Sequence, residues 1–201
     1  RNRESEALAE KLSAITGLRN SKSVFVNSGS EAVNLALTLA KKLTGRQKIL
    51  KMDCTYLSAF GHGQISPENT NLISIPINET EKIASIDFTQ IAGFAFEPGN
   101  LWGLIKIPDE LFIAAIAEKI RAYDGLLIAN EVTTGFGRTG KWFGFQHYPY
   151  NPDIISVGKA LGNGYPVSGV CVAETIAGKF EHSPFRYAQS HQNDALGCAV
   201  G

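Results

Sequence analysis

No run of apolar residues in this 201-residue sequence approaches the ~18 positions that a membrane-crossing helix needs. No charged-then-apolar segment opens it as a secretion signal would. Both absences predict a globular, soluble protein. An excess of either charge is missing as well. The 19 basic and 19 acidic residues cancel, which argues against nucleic acid or an anionic membrane as main partner and for small-molecule substrates. Cysteine is scarce: Cys54, Cys171 and Cys198 are odd in number and widely spaced, with no Cys-x-x-Cys pair. That pattern offers neither a metal site nor a redox couple, and predicts reduced, packed thiols in a cytoplasmic protein. No internal repeat, low-complexity stretch or linker interrupts the chain, so residues 1–201 read as one domain, 44% hydrophobic and large enough for a full core. The sequence opens on Arg1 inside a helical pattern, which predicts a piece of something longer.

What is present alternates between two periods. Residues 3–16 carry Leu8, Leu12 and Ile15 at helical spacing and stop at Gly17. "SVFVNSGS" reads as a strand entering a turn, and "EAVNLALTLAKKLTG" as a helix with a basic last turn and Gly45 as its stop. "KILKMD", "NLISIPI", "IAGFAFEP", "GLLIANEV", "DIISVG" and "GYPVSGVCVA" read as strands, and 108–122 as a helix. Apolar runs alternating with helices predict an α/β fold: a mostly parallel sheet with helices on both faces.

Chemistry in such sheets collects at the carboxyl ends of the strands, and four ends here are polar. "NSGS" turns into a helix at Gly29 and Ser30, a geometry that suits a phosphate and equally an ordinary serine cap followed by Glu31. "FEP" leaves Glu97 at a strand end, "LLIANEV" carries Asn130 and Glu131, and "SVGK" delivers Lys159 among Gly158, Gly162 and Gly164. In a parallel sheet these residues converge. "GFGRTGKW" fills seven places of a nucleotide-binding P-loop, with Gly135, Gly140 and Lys141. Trp142 stands where a magnesium-binding hydroxyl is required, and no helix follows. No strand-borne G-x-G-x-x-G opens a helix either, so dinucleotide binding is not indicated. Arg138 in that glycine-rich turn reads as a loop or interface residue. His62, His147 and His182 read as surface or packing residues, and His191 as a candidate for the site entrance.

"FVNSGSEAVNLALTLAK", "FAFEPG", "LLIANEVTTGFGRTGKWFGFQHY", "PDIISVGKALGNGYPVSGV" and "SHQNDALGCAV" together resemble the class III aminotransferases, pyridoxal-phosphate enzymes of fold type I, in order and over nearly the whole chain. The resemblance implies that 1–201 is the large cofactor-binding domain, without the N-terminal segment and C-terminal small domain that complete such enzymes. It implies that Lys159 holds the cofactor as a Schiff base and, once displaced by an incoming amine, carries the proton between substrate and cofactor carbons. An amine condenses only when neutral, so partial burial and nearby positive charge are expected around it.

By the same match Gly29 and Ser30 would bind the cofactor phosphate, Tyr56 would stack on the pyridine ring, Glu97 would lie beside it, and Thr133 would stand near the ring hydroxyl where many members have glutamine. Ser190 would reach the phosphate of a neighbouring subunit, which implies a homodimer with shared sites. Leu57 departs from the histidine that usually follows the aromatic residue. Asn130 departs from an aspartate that keeps the pyridine nitrogen protonated, and Asn130→Asp would be expected to raise the rate if the pocket tolerates the charge. The activity implied is amino-group transfer from an amine or amino acid to an oxo acid or aldehyde. An aminomutase or decarboxylase, or a degenerate non-catalytic homologue, are the alternatives.

Overall fold

Alternation along each strand decides which way its side chains go, and here both directions are apolar. The computed structural model describes residues 2–18, 20–99, 106–181, 183 and 185–201. Its elements in chain order begin with α1 (Arg3–Thr16), β1 (Lys22–Val26), α2 (Gly29–Thr44), β2 (Lys48–Met52), β3 (Leu72–Ile75) and β4 (Ile91–Phe96). They continue with α3 (Glu110–Ala122), β5 (Leu126–Asn130), β6 (Ile154–Val157), β7 (Ser168–Val172), α4 (Glu174–Phe180) and α5 (Ala195–Val200).

The strands make one seven-stranded sheet in the order β1-β7-β6-β5-β4-β2-β3. β7 runs antiparallel to both β1 and β6, and every other pairing is parallel. Six strands therefore share one direction, and the expected mostly parallel sheet is what forms. Among the described residues no helix is long and apolar enough to cross a membrane.

Leu50, Met52, Phe94, Phe96, Leu127, Ile155, Val157 and Cys171 point to one face, where Leu8 and Leu12 of α1, Phe112, Ile116 and Ile120 of α3 and Cys198 of α5 cover them. Ile49, Ala95, Leu126, Ile128, Ile154 and Val170 point to the other, under Val33, Ala36, Leu37 and Ala40 of α2. This two-period split is why the strands read as unbroken apolar runs. Local chemistry sets the helix ends. Ser28 and Glu31 form a reciprocal cap at the start of α2, and Gly45 closes it in the left-handed region at φ 70. α4 and α5, of seven and six residues, have too few turns for a period to be legible in the sequence.

Asp153 fastens α3 to the sheet. Its carboxylate accepts Leu127 N at 2.7 Å and both short contacts of Arg121 Nη1, at 2.7 and 2.8 Å. The Asp153 side chain is buried, whereas that of Arg121 is 44% exposed. The expected result is therefore asymmetric. Asp153→Ala should cost about 2–4 kcal/mol, because a buried backbone N–H loses its acceptor. Arg121→Ala should cost under about 1 kcal/mol, as exposed ion-pair partners do. Urea unfolding of the two variants checks the difference.

Candidate active site

β1, β4, β5 and β6 end on the same edge of the sheet, because the two antiparallel steps through β7 restore the direction of β1. The register pairs Asn130 with Ser156 and Phe96 with Ala129, so Glu97, Asn130 and Lys159 leave the sheet as neighbours. Lys159 follows β6 with a φ of 42, a left-handed conformation that a long side chain adopts only when its surroundings impose it, and such strain collects at functional positions. Its Nζ donates to Thr133 Oγ1 at 2.7 Å. Lys159 is exposed, not partly buried as expected. Gly158 packs closely against the sheet, since a Cβ there would lie 2.6 Å from Ser168 Oγ on β7.

A cleft of about 450 Å³ opens beside Lys159 and is lined by Ser28, Gly29, Arg138, Asn163 and Tyr165, among others. The first turn of α2 faces it, and the Gly29 and Ser30 N–H groups there have no carbonyl one turn earlier to bond. The cap is Ser28, whose Oγ accepts Glu31 N at 3.2 Å. Ser30 does something different: its Oγ accepts Ala59 N at 3.0 Å, which ties the loop after β2 to the helix and leaves the hydroxyl proton free to donate.

The neighbouring residues at the ends of β4 and β5 are hydrogen-bonded to the loop after β2. Asn130 Nδ2 donates to Tyr56 O at 3.0 Å and Asn130 Oδ1 accepts Val132 N at 3.3 Å. The Tyr56 backbone N–H donates to the Glu97 carboxyl. Glu97 is 5% exposed and its Oε2 is a buried atom with no hydrogen-bond partner. Burial pushes the Glu97 carboxyl up to about 7, against the pull of the Tyr56 N–H and of the Lys159 and Lys51 charges. Lys51, buried on β2, donates to the carbonyls of Met52 and Asp53 at 2.9 and 3.3 Å, and burial lowers its ammonium below the ordinary value.

The sequence-predicted residues thus fall into three sets. Gly29 and Lys159 line the cleft, Thr133 is bonded to Lys159, and Ser30 follows Gly29 on α2. Tyr56, Glu97 and Asn130 are linked to one another beside Lys159 and are not among the residues that line the cleft. Ser190 lies apart, exposed on a turn and outside the cleft lining. His182 lies outside the described residues. His191 lines a hollow of about 230 Å³ with Asp194 that adjoins the cleft, since Asn27, Tyr165, Pro166 and Val167 line both. Residues 135–141 form turns and bends, a four-residue 3-10 helix (Gly144–His147) and no α-helix follows them, and Lys141 Nζ donates to Gln146 O at 2.7 Å, so the P-loop likeness has no α-helix start behind it.

Two residues were missed or misread in the sequence. Arg138 lines the cleft with Lys159, a position that only the glycine-rich turn after β5 could have suggested. Glu131, polar like Asn130 and next to it, turns away from the cleft. It accepts Thr134 Oγ1 at 2.6 Å, Gly144 N at 2.9 Å and Phe145 N at 2.6 Å, and is fully buried.

Open N–H groups at a helix start suit an anion, a primary amine in the same cleft suits a carbonyl, and the Glu97 oxygen near it has hydrogen-bonding capacity to spare. These features fit a phosphorylated aldehyde. Comparison with known proteins agrees. A family model for class III aminotransferases matches residues 57–201. The acetylornithine aminotransferase of Methanothermobacter thermautotrophicus is 33% identical, over 98% of this chain and 53% of its own length. The [LysW]-aminoadipate semialdehyde/glutamate semialdehyde transaminase of Sulfurisphaera tokodaii is 35% identical, over 79% of this chain and 43% of its own length. Taurine:2-oxoglutarate aminotransferase from Bifidobacterium kashiwanohense, solved in complex with PLP and glutamate, superposes with a TM-score of 0.88 over 100% of this chain and 53% of that one. At 19% identity that likeness shows the fold alone. The chain spans about half the length of the curated relatives it matches. It belongs to the class III aminotransferases.

Proposed function

We propose that this class III chain is the cofactor-binding domain of a pyridoxal-phosphate-dependent aminotransferase, which moves an amino group from an amine or amino acid to an oxo acid or aldehyde. One observation carries the reading: Lys159, held in a left-handed conformation at the end of β6, presents its amine in the cleft onto which α2 opens. When bound, the cofactor supplies an aldehyde that amines condense with and a ring that accepts electrons.

The protein's own groups divide the remaining work. Lys159 Nζ would anchor the cofactor and is the base placed to move a proton at the donor carbon. Thr133 Oγ1 accepts from that Nζ and orients it. The Gly29 and Ser30 N–H groups would hold the phosphate, and the Ser30 hydroxyl would add a donor. Tyr56, Glu97 and Asn130 stand beside Lys159, where the ring would rest. The relatives named for acetylornithine and for semialdehydes support donors with a primary amine at a chain end and acceptors of the aldehyde or oxo-acid class.

The reading extends to a homodimer in the cytoplasm. Ser190, exposed on its turn, is available to a neighbour's phosphate site, and the buried Cys171 and Cys198 thiols, pushed up to about 11 by burial, accord with a reducing compartment. A second reading, a homologue that binds cofactor without turnover, draws on Asn130, whose two polar atoms both already have protein partners.

Borohydride reduction of the purified protein after incubation with pyridoxal phosphate should fix the label on Lys159. Donor amine added first should release the cofactor from reduction in the transferase and leave it fixed in the non-catalytic homologue. A label mapping to Lys51 or Lys141 would overturn the assignment of the site.

A further inference from the structure

Asn130 has both halves of its amide occupied, and one of its partners leads to another buried group. Nδ2 donates to Tyr56 O at 3.0 Å, and Oδ1 accepts Val132 N at 3.3 Å. On the other side of the Tyr56 residue its backbone N–H donates to the Glu97 carboxyl. Asn130 is 3% exposed and Glu97 5% exposed, so water does not readily replace either bond. We infer that Asn130 is a positioning residue: its amide fixes the backbone at Tyr56, and that backbone in turn holds the buried Glu97 carboxyl beside Lys159.

The chemistry of the side chain explains the amide. An asparagine donates and accepts at once, whereas an ionised aspartate only accepts. A carboxylate at position 130 would set an anionic oxygen about 3 Å from the Tyr56 carbonyl oxygen, in a region that already holds Glu97 and Glu131. Only a protonated aspartate could reproduce the bond to Tyr56 O. On this account the condition attached to Asn130→Asp, a pocket that tolerates the charge, is not met while Tyr56 O faces position 130.

Glu97 has the environment of a proton carrier. Its Oε2 is buried and unpartnered, which favours the neutral carboxyl, while the Tyr56 N–H favours the ionised one. The charged groups facing it come from three strands: Lys51 on β2, Glu131 after β5 and Lys159 after β6. Burial is the largest of these influences, and places the carboxyl at about 7.

This inference deepens the reading of the cleft as a cofactor site, but its test is run without cofactor, so failure of the Lys159 labelling and failure of this inference are separate results. Infrared difference spectra of the purified protein across pH should show one carboxyl band titrating near 7, and Glu97→Gln should remove it. In Asn130→Ala the Tyr56 backbone loses its anchor and Glu97 loses the N–H that favours its ionised form, so the midpoint should rise above about 7. An unchanged midpoint in a folded Asn130→Ala overturns the inference, as does a band that survives Glu97→Gln.

Asn130→Asp gives an independent test should the alanine variant fail to fold. Its aspartyl pKa is raised in the folded state, because only the protonated form donates to Tyr56 O. Relative stability is then fully present below the unfolded value of about 3.9 and lost as pH rises through the folded value. Its melting temperature should match the parent protein near pH 4 and drop well below it by about pH 8. A deficit that is the same at both pH values overturns the inference.

Discussion

Lys159→Ala is expected to lower turnover by at least about 10³-fold, the scale of a lost general base with the loss of a covalent anchor in addition. The folded state should barely change, because the Lys159 side chain is exposed and its one hydrogen bond is to Thr133. No neighbouring amine stands ready to replace it. Lys51 Nζ is buried against two carbonyls, and Lys141 Nζ is bonded to Gln146 O. Lys159→Arg should fail equally, since a guanidinium keeps the charge and the reach but stays protonated and does not condense with an aldehyde. Thr133→Val makes the useful contrast. It removes only the acceptor that orients Nζ, so cofactor should still be fixed by borohydride while turnover falls by about 10-fold, the equivalent of one modest hydrogen bond. Steady-state assays with a panel of amine donors, alongside cofactor retention through gel filtration, check all three variants. Turnover by Lys159→Ala within 10-fold of the parent protein would mean that the cleft is not where the chemistry occurs.

How far the site could be read in advance depended on which physical signal each residue left. Lys159 and Glu97 were legible because a lone charged residue closing an apolar run must leave the sheet at its edge, and the parallel order of β4, β5 and β6 brings those edges together. Asn130 was placed for the same reason. Its partner was not, because the loop of residues 53–70 has no periodicity to fix where Tyr56 would lie, and the bond from Asn130 Nδ2 to Tyr56 O joins residues 74 apart in sequence. Glu131 was misread as pointing into the site although the information to separate it was present. Successive residues of a strand face opposite ways, so where Asn130 shares the α2 side with Leu126 and Ile128, Glu131 must turn from it. Ser30 shows a different limit: the sequence marks a helix start, but whether the hydroxyl caps the helix, binds a ligand or holds Ala59 is decided by a loop that arrives from 29 residues away.

Glu131→Ala is expected to be the most destabilising of these substitutions, at about 4 kcal/mol, near the upper end of what single changes do. Glu131 is a fully buried carboxyl, and the donors aimed at it are the Thr134 hydroxyl and the backbone N–H groups of Gly144 and Phe145. Alanine leaves all three donors without an acceptor in a place water does not reach, and each such loss costs about 1–3 kcal/mol, less than additively. The damage should spread to the cleft, because residues 132–147 run from Thr133 through Arg138 to the segment that Glu131 pins. Weakened cofactor retention should therefore accompany the lower melting temperature. Burial raises the Glu131 carboxyl above its ordinary value despite those three hydrogen bonds, so the folded chain holds this proton more tightly than the unfolded one. Its contribution to stability is accordingly greatest below the ordinary carboxylate range and declines as pH rises through the raised value. Glu131→Gln removes that titration while keeping the volume, and turns one acceptor towards N–H donors as an NH₂ group. It should cost about 1–3 kcal/mol and flatten the part of the pH dependence that Glu131 supplies. Urea unfolding at several pH values measures both effects. A loss below about 1 kcal/mol for Glu131→Ala would show that Thr134, Gly144 and Phe145 find other acceptors, and that the loop carrying Thr133 to Lys159 is held by something other than this carboxyl.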